Sequence, residues 1–104
     1  MADEEDTATE VPQVFELFQN QPNPFNQVTT ISYVLYKTER VSLKVYDMLG
    51  SEVSVLIDEY QEAGNHEVVW HGTDNEGNQI SSGIYLYRLQ AGGTEETSSM
   101  TLIR

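Results

Sequence analysis

Cysteine is absent from this 104-residue sequence, and basic residues are scarce. The lack of cysteine excludes disulfides, thiolate metal ligands and cysteine nucleophiles. Only 5 Lys and Arg stand against 17 Asp and Glu, so the formal net charge is −12 at pH 7. Phosphate binding needs clustered basic side chains, so this composition predicts no nucleic-acid partner. No apolar run approaches the ~18 residues that span a bilayer, which predicts no membrane insertion.

The acidic residues are concentrated at the start of the chain. Residues 1–10 contain five acids, no base and no large apolar side chain except Met1. Such a segment cannot bury enough surface to offset the entropy lost on ordering. We interpret residues 1–12 as an acidic, flexible leader or linker, with an acidic interaction tail as the alternative. The remaining residues 13–104 have the length of one domain.

Apolar and polar residues alternate through most of this domain. Alternation with a period of two, in runs rich in β-branched and aromatic residues, is typical of strands with one buried face. The runs are Thr30–Leu35, Val41–Tyr46, His66–Trp70, Tyr85–Gln90 and Met100–Ile103, with Phe15–Gln19 and Glu52–Ile57 as further strands. Asp58–Ala63 is the only weak helical candidate, and it is too short to be stable alone. About seven short strands separated by turn residues predict an all-β fold, a two-sheet antiparallel β-sandwich.

The same pattern predicts the core and two special segments. Gly50 is expected to supply the positive φ of a tight hairpin between strands 41–47 and 52–57. Pro22 and Pro24 predict an extended or polyproline-like conformation over Gln19–Asn26. The predicted core contains Trp70, the only Trp, together with Val68, Leu43, Val45, Tyr85 and Leu89.

Residue types that carry chemistry do not form a recognisable active site or cofactor site. His66 and His71 are five positions apart, so on one strand they face opposite sides and cannot share a metal ion. Asp74–Asn78 resembles a calcium loop superficially, but it lacks the ligand spacing of such loops. We therefore expect an ordinary hairpin turn there, with a weak cation site as the alternative. The sequence predicts a protein that is not an enzyme and has no cofactor and no metal.

Six tyrosines raise the question of a sugar-binding platform. Such platforms usually expose their aromatic rings in a coplanar row. Tyr33, Tyr85 and Tyr87 occur at core-facing positions of their strands, so we expect them to be buried. The other three, Tyr36, Tyr46 and Tyr60, stay available to a carbohydrate ligand.

Five blocks in fixed order resemble the C-terminal sorting domains of type IX secretion cargo, type A. Phe15–Asn26 contains F-Q-N-Q-P-N-P-F-N, which is similar to the family's opening motif L-x-Q-N-Y-P-N-P-F-N-P. Further blocks that match are Val41–Gly50, Ala63–Trp70, Gly72–Gly77 with Ser82–Leu89, and Met100–Arg104. The sequence departs from the family at Ser98 and Ser99, where Lys or Arg often precedes the last strand. A related Ig-like domain occurs in flagellar hook-capping proteins.

The resemblance implies an Ig-like sandwich that acts as a handle and not as a catalyst. A cargo protein would be fused to its N-terminal side, and the type IX secretion machinery would recognise it after passage through the periplasm. A surface sortase is an optional second partner. The implied location is secreted or on the cell surface of a Gram-negative bacterium.

The resemblance also implies which residues are recognised. Exposed backbone and side chains of Thr97–Arg104 are expected to act together with the proline-containing motif, and edge-strand addition is one reasonable mode. The candidate recognition residues are Gln19, Asn20, Pro22, Asn23, Pro24, Phe25, Asn26, Met100, Thr101, Leu102, Ile103 and Arg104.

Two other functions stay open on the sequence alone. One is a structural or adhesive Ig-like module similar to that of hook-capping proteins. The other is a carbohydrate-binding accessory module of a secreted enzyme.

Overall fold

Seven strands build the part of the chain that the structure describes. The computed structural model of the protein describes residues 13–104, so the interpretation of residues 1–12 as a leader lies outside the described residues. The strands are β1 (Phe15–Leu17), β2 (Thr29–Leu35), β3 (Glu39–Tyr46), β4 (Glu52–Gln61), β5 (Gly64–Trp70), β6 (Gly83–Ala91) and β7 (Thr94–Leu102). Over this range there is no helix, and hence none long and apolar enough to cross a membrane.

The strands form two antiparallel sheets packed face to face. One sheet has the order β1-β2-β5 and the other the order β4-β3-β6-β7. Only Glu62 and Ala63 separate β4 from β5, so these two edge strands lie on the same side of the sandwich. β1 and β7 form the edges of the opposite side. The predicted all-β, Ig-like antiparallel β-sandwich of about seven strands is confirmed.

The predicted alternation matches the observed burial. Val41, Leu43 and Val45 of β3 have no exposed surface, and neither do Tyr87 and Leu89 of β6. Trp70 is 2% exposed, which confirms its predicted place in the core. Val68 has the predicted phase but is only partly buried against the core, since β5 is an edge strand.

Strand β4 differs most from the sequence prediction. It runs to Gln61, so the weak helical candidate Asp58–Ala63 is wrong: its first four residues continue the strand opposite β3, and Glu62 and Ala63 form the link to β5. Residues 58–60 are exposed because this end of β4 is an edge with little cover from the other sheet. Apolar and polar residues do not alternate over this end of β4, so alternation did not predict it as a strand.

The β3–β4 hairpin closes through the predicted glycine. Gly50 has a φ of +90°, and its N–H donates to the Asp47 carbonyl at 3.0 Å. Asp47 also accepts the N–H groups of Leu49 and Ser51 through its Oδ1 atom, both at 2.9 Å. The predicted tight turn and its positive φ are confirmed.

Candidate functional site

The two segments that the sequence singles out for recognition lie side by side. Gln19–Asn26, called the proline segment below, crosses the outer edge of β7. Phe25 forms a parallel bridge with Leu102. The Phe25 N–H donates to the Thr101 carbonyl at 3.0 Å, and the Ile103 N–H donates to the Phe25 carbonyl at 2.8 Å.

Two side chains of the proline segment extend this contact along the strand. Asn23 Oδ1 accepts the Thr101 N–H at 2.9 Å, and Gln19 Nε2 donates to the Ser99 carbonyl at 2.8 Å. The chain itself therefore occupies the outer edge of β7 between Ser99 and Ile103. The expectation that the backbone of the last strand is open to strand addition is wrong for this stretch. We call the proline segment together with Ser99–Arg104 the composite edge.

A buried polar cluster anchors the start of the proline segment. Asn20 is 1% exposed, and its backbone N–H donates to the Tyr87 hydroxyl at 2.9 Å. That hydroxyl donates in turn to the Phe18 carbonyl at 2.9 Å. Burial raises the pKa of Tyr87, so the hydroxyl keeps the proton that it donates. The Asn20 amide also donates to Thr29 Oγ1 at 2.9 Å, which ties the segment to β2.

An aromatic cluster anchors its end. Phe25 is 2% exposed and packs on Trp70, with 5.8 Å between ring centroids. Trp70 meets Tyr85 edge-on at 6.2 Å, and its indole N–H donates to the Thr73 carbonyl at 3.0 Å. The segment bends between these anchors, and the peptide bonds that precede Pro22 and Pro24 are both cis. The bends at residues 22–24 contradict the predicted extended or polyproline-like conformation of Gln19–Asn26.

The candidate recognition residues divide into a buried and an exposed group. Asn20, Phe25, Met100 and Leu102 are buried, so they hold the composite edge in shape and present no side chain to a partner. Thr101 is partly buried. The exposed members are Gln19, Pro22, Asn23, Pro24, Asn26, Ile103 and Arg104.

A shallow groove lies on the exposed surface of the composite edge. It measures about 400 Å³ and is lined by Pro22, Pro24, Phe25, Asn26 and Ile103. Ile103 is 52% exposed. The groove offers two proline rings and a branched aliphatic side chain, with a single amide among them. Its chemistry favours an apolar side chain of a partner.

Arg104 is tied to the body of the domain. Its Nε donates to the Ile80 carbonyl at 2.8 Å, its guanidinium also donates to the Gly72 carbonyl, and its backbone N–H donates to Ser82 Oγ at 2.8 Å. Gly72 has a φ of +68°, and a Cβ built there would lie 2.7 Å from the guanidinium. The sequence predicted Arg104 only as an exposed recognition residue and held no signal for these contacts.

The Asp74–Asn78 loop is a hairpin turn, as predicted. Asp74 Oδ1 accepts the N–H groups of Asn78 and Glu76, both at 2.9 Å. These hydrogen bonds, that of Asn78 foremost, lower the pKa of Asp74. Asn75 covers the outer edge of β4, because its Oδ1 accepts the Val55 N–H at 2.8 Å. Within residues 13–104, no three His, Cys, Asp or Glu residues are grouped so that they could hold a metal ion.

His66 packs on a core tyrosine and His71 lies at the surface, while the three tyrosines that were expected in the core are buried. His66 stacks on Tyr33 with 5.3 Å between centroids, and His71 is exposed. Tyr33 and Tyr87 are buried as predicted, and Tyr85 is 9% exposed. Burial raises the pKa of Tyr33 to about 12, and its hydroxyl donates to Gln61 Oε1.

The three tyrosines left open to a carbohydrate ligand do not form one row. Tyr60 pairs with Arg40 across β3 and β4, whereas Tyr46 pairs with Glu52 at the other end of the same hairpin. Positions 40 and 46 are about 20 Å apart along a strand at ~3.3 Å per residue. Tyr36 follows β2 in the other sheet, where its hydroxyl donates to Glu16 at 3.0 Å. This scatter does not match the coplanar row expected of a carbohydrate platform.

Solved structures with the same fold include parts of three bacterial proteins. PorU from Porphyromonas gingivalis, solved as a latent dimer, superimposes with a TM-score of 0.72 and 21% identity over 91% of this chain. PorZ, an essential surface component of the type IX secretion system of the same organism, gives 0.59 and 22% over 85%. FlgD from P. aeruginosa gives 0.59 and 23% over 88%.

The share of each neighbour that is covered differs widely. The chain spans 10% of PorU and 11% of PorZ, but 68% of the FlgD chain. No curated protein sequence matches the chain. Residues 25–95, more than half of the sequence, match the family model described as the FlgD Ig-like domain. The chain belongs to the FlgD Ig-like domain family.

Proposed function

We propose that this protein is a non-catalytic C-terminal secretion signal domain. In this proposal the type IX secretion machinery recognises the domain and exports the cargo protein fused to its N-terminal side. The cargo passes through the periplasm to the cell surface or the medium of a Gram-negative bacterium. A surface sortase is an optional second partner.

One observation carries the proposal. The two blocks that resemble sorting-domain motifs are separated by more than 70 residues, yet they meet in the composite edge through backbone hydrogen bonds between Phe25, Thr101 and Ile103. A structural module needs no contact between these particular blocks beyond ordinary packing. A recognition signal that consists of segments near both ends of a domain requires these segments to lie on one surface.

The mode of recognition follows from the contacts. The backbone of β7 from Ser99 to Ile103 is already bonded to the proline segment, so a partner binds side chains and not this strand edge. Asn20 and Phe25 fix the segment at both ends, which leaves little conformational entropy to lose on binding. The groove beside Ile103 is the part of this surface that takes an apolar side chain.

The structural neighbours support the class of system. PorZ is a surface component of a type IX secretion system, and a domain with this fold forms about a tenth of it. An identity of 22% carries the fold and no residue roles. We extend the link to the present chain because the motif blocks and the neighbour point to the same system.

The experiment places the whole 104-residue chain at the C-terminus of a Sec-exported passenger in a host with type IX machinery. We expect the passenger outside the outer membrane, and in the periplasm when the machinery is deleted. A family member with a Lys-rich ending serves as the positive control. If that control is exported while this fusion stays periplasmic, Ser98→Lys and Ser99→Lys together restore export under the proposal. Continued retention of a folded fusion contradicts it.

A structural Ig-like module is the second candidate. The match of residues 25–95 to the FlgD Ig-like domain favours it, because hook capping by FlgD from Xanthomonas campestris is essential for flagellar assembly. This candidate predicts that the passenger stays periplasmic in the same host, whichever residues occupy positions 98 and 99.

A further inference from the structure

The outer edge of β5 has no strand partner in the described part of the chain. β5 pairs with β2 alone and lies on the side of the sandwich opposite the composite edge. The neighbouring edge strand β4 is covered at Val53 and Val55 by Asn75. No comparable contact reaches the outer edge of β5 from residues 13–104.

The hydrogen bonds of β2 show how β5 is oriented. Thr30 exchanges both of its backbone hydrogen bonds with Gln21, and the Ser32 carbonyl accepts the Phe18 N–H. Thr30 and Ser32 therefore direct their backbone groups away from β5. Because these groups alternate in direction along an antiparallel strand, Ile31 and Tyr33 direct theirs toward β5.

The register then identifies the unpaired groups of β5. Val68 lies opposite Ile31 and His66 opposite Tyr33, so Val68 and His66 are bonded to β2. The residues between and beside them, Asn65, Glu67 and Val69, direct their N–H and C=O groups outward. This row of three donors and three acceptors is a template for an added strand.

The charge around this edge selects the partner. Between Lys44 and Arg88 the sequence has no Lys or Arg. The acids of β4, β5 and the turn that joins them are Glu52, Asp58, Glu59, Glu62 and Glu67. Lys44 and Arg40 pair with Glu52 and Asp58, and among residues 13–104 the other three have no ion pair.

A second copy of this chain is a poor occupant. A symmetric antiparallel pair centred on the middle of the three outward-facing residues would place Glu67 directly opposite its equivalent. Like charges directly opposite each other destabilise a strand pair. A strand with Lys or Arg at that position would gain a favourable pair, and the half-exposed Val69 offers an apolar neighbour.

We propose that the outer edge of β5 binds an extended, Lys- or Arg-bearing segment of another protein by strand addition. The partner's backbone pairs with Asn65, Glu67 and Val69, and its basic side chain lies opposite Glu67. This surface is separate from the composite edge, so this proposal does not depend on the proposed secretion signal.

The test titrates the full chain with a blocked synthetic heptapeptide of alternating Thr, Val and Lys, followed by NMR and amide hydrogen exchange. We expect slower exchange at the N–H groups of Asn65, Glu67 and Val69, and binding that weakens with added salt. Two control peptides separate the contributions: one has Glu in place of Lys, and one keeps the Lys residues but has Pro at alternate positions. Both should fail to protect the three amides.

Variants separate charge from backbone pairing. Glu67→Lys should weaken peptide binding about three- to tenfold, since it replaces a favourable cross-strand pair by a repulsive one. Glu96→Lys makes the same change of charge on β7 and should leave binding unaltered. Glu67→Pro removes one outward N–H but none of the bonds to β2, so it should abolish the protection of the Asn65 and Val69 amides while circular dichroism stays unchanged.

Three results would overturn the proposal. The first is the absence of protection at the three amides in the unmodified chain. The second is equal binding of the Pro-containing peptide, which indicates attraction between charges without strand addition. The third is concentration-dependent dimerisation through the same amides, which would make a second copy the occupant.

Discussion

Trp70 connects three parts of the molecule. Its ring contacts Phe25 of the proline segment and Tyr85 of β6, and its N–H donates to the carbonyl of Thr73 in the loop after β5. The side chain is 2% exposed, so it contributes both buried area and a satisfied donor. Its loss would loosen the core and the composite edge together.

Trp70→Ala should lower the free energy of unfolding by about 3–5 kcal/mol, because it leaves a large cavity in a core of this size. Chemical denaturation followed by circular dichroism measures the change. Trp70→Phe is the matched control and should cost less, since most of the apolar volume remains. A cost below about 1 kcal/mol for the alanine variant would contradict the assignment of Trp70 to the centre of the core.

Asp74 is a carboxylate whose pKa the structure lowers. Hydrogen bonds from the backbone of Asn78 and Glu76 to its carboxylate lower its pKa below the ordinary value of 3.8. Because the pKa is lowered in the folded state, the ionised carboxylate adds to the stability of the fold at pH values above its ordinary pKa. That stability is lost as the pH falls through the lowered value.

Asp74→Asn should therefore flatten the acid limb of the stability profile. The amide oxygen can still accept the two N–H groups, but it cannot titrate. We expect the unmodified chain to be the more stable of the two at neutral pH and the difference to shrink below pH ~4. Thermal melts over a pH series measure this. Parallel profiles at all pH values would show that the Asp74 hydrogen bonds do not depend on its charge.

At the scale of elements, the alternation of apolar and polar residues was sufficient to predict a strand wherever that strand has one buried face. β2, β3 and β6 alternate cleanly, so their core-facing residues could be predicted from a period of two. The end of β4 could not, because Asp58–Gln61 is polar and lies on an exposed edge. The pairing of the proline segment with β7 could not be predicted either, since a single hydrogen bond between Asn23 and Thr101, 78 positions apart, leaves no periodic signal.

The proline segment should control the exposure of the β7 edge. Asn23→Ala removes the acceptor of the Thr101 N–H, so we expect faster amide exchange at Thr101 and a loss of about 0.5–1.5 kcal/mol of stability. Asn26→Ala is the control, because Asn26 is an exposed residue of the same segment without such a bond to β7. Equal exchange at Thr101 in both variants would mean that Asn23 does not protect the strand edge.

At the scale of the whole molecule, the two sides of the sandwich differ in how they are closed. On the side with β1 and β7, the proline segment covers β7 from Ser99 to Ile103, whereas the side with β4 and β5 is covered only around Val53 and Val55. The sequence pointed to the residues of the composite edge through a family resemblance, but it gave no reason to expect Arg104 to bind the loop carbonyls of Gly72 and Ile80. Which of the exposed residues contacts a partner stays a prediction.

The most direct test of the secretion signal compares two variants of the exported fusion. Ile103 in the groove is 52% exposed and Val69 on β5 is 53% exposed, so replacing either by Ser removes a similar exposed apolar surface without opening the core. The measurement is the fraction of passenger outside the outer membrane, with the fold of each variant checked by circular dichroism. We predict that Ile103→Ser retains the passenger in the periplasm and that Val69→Ser exports it like the unmodified fusion. Equal export of both variants would contradict the composite edge as the recognised surface.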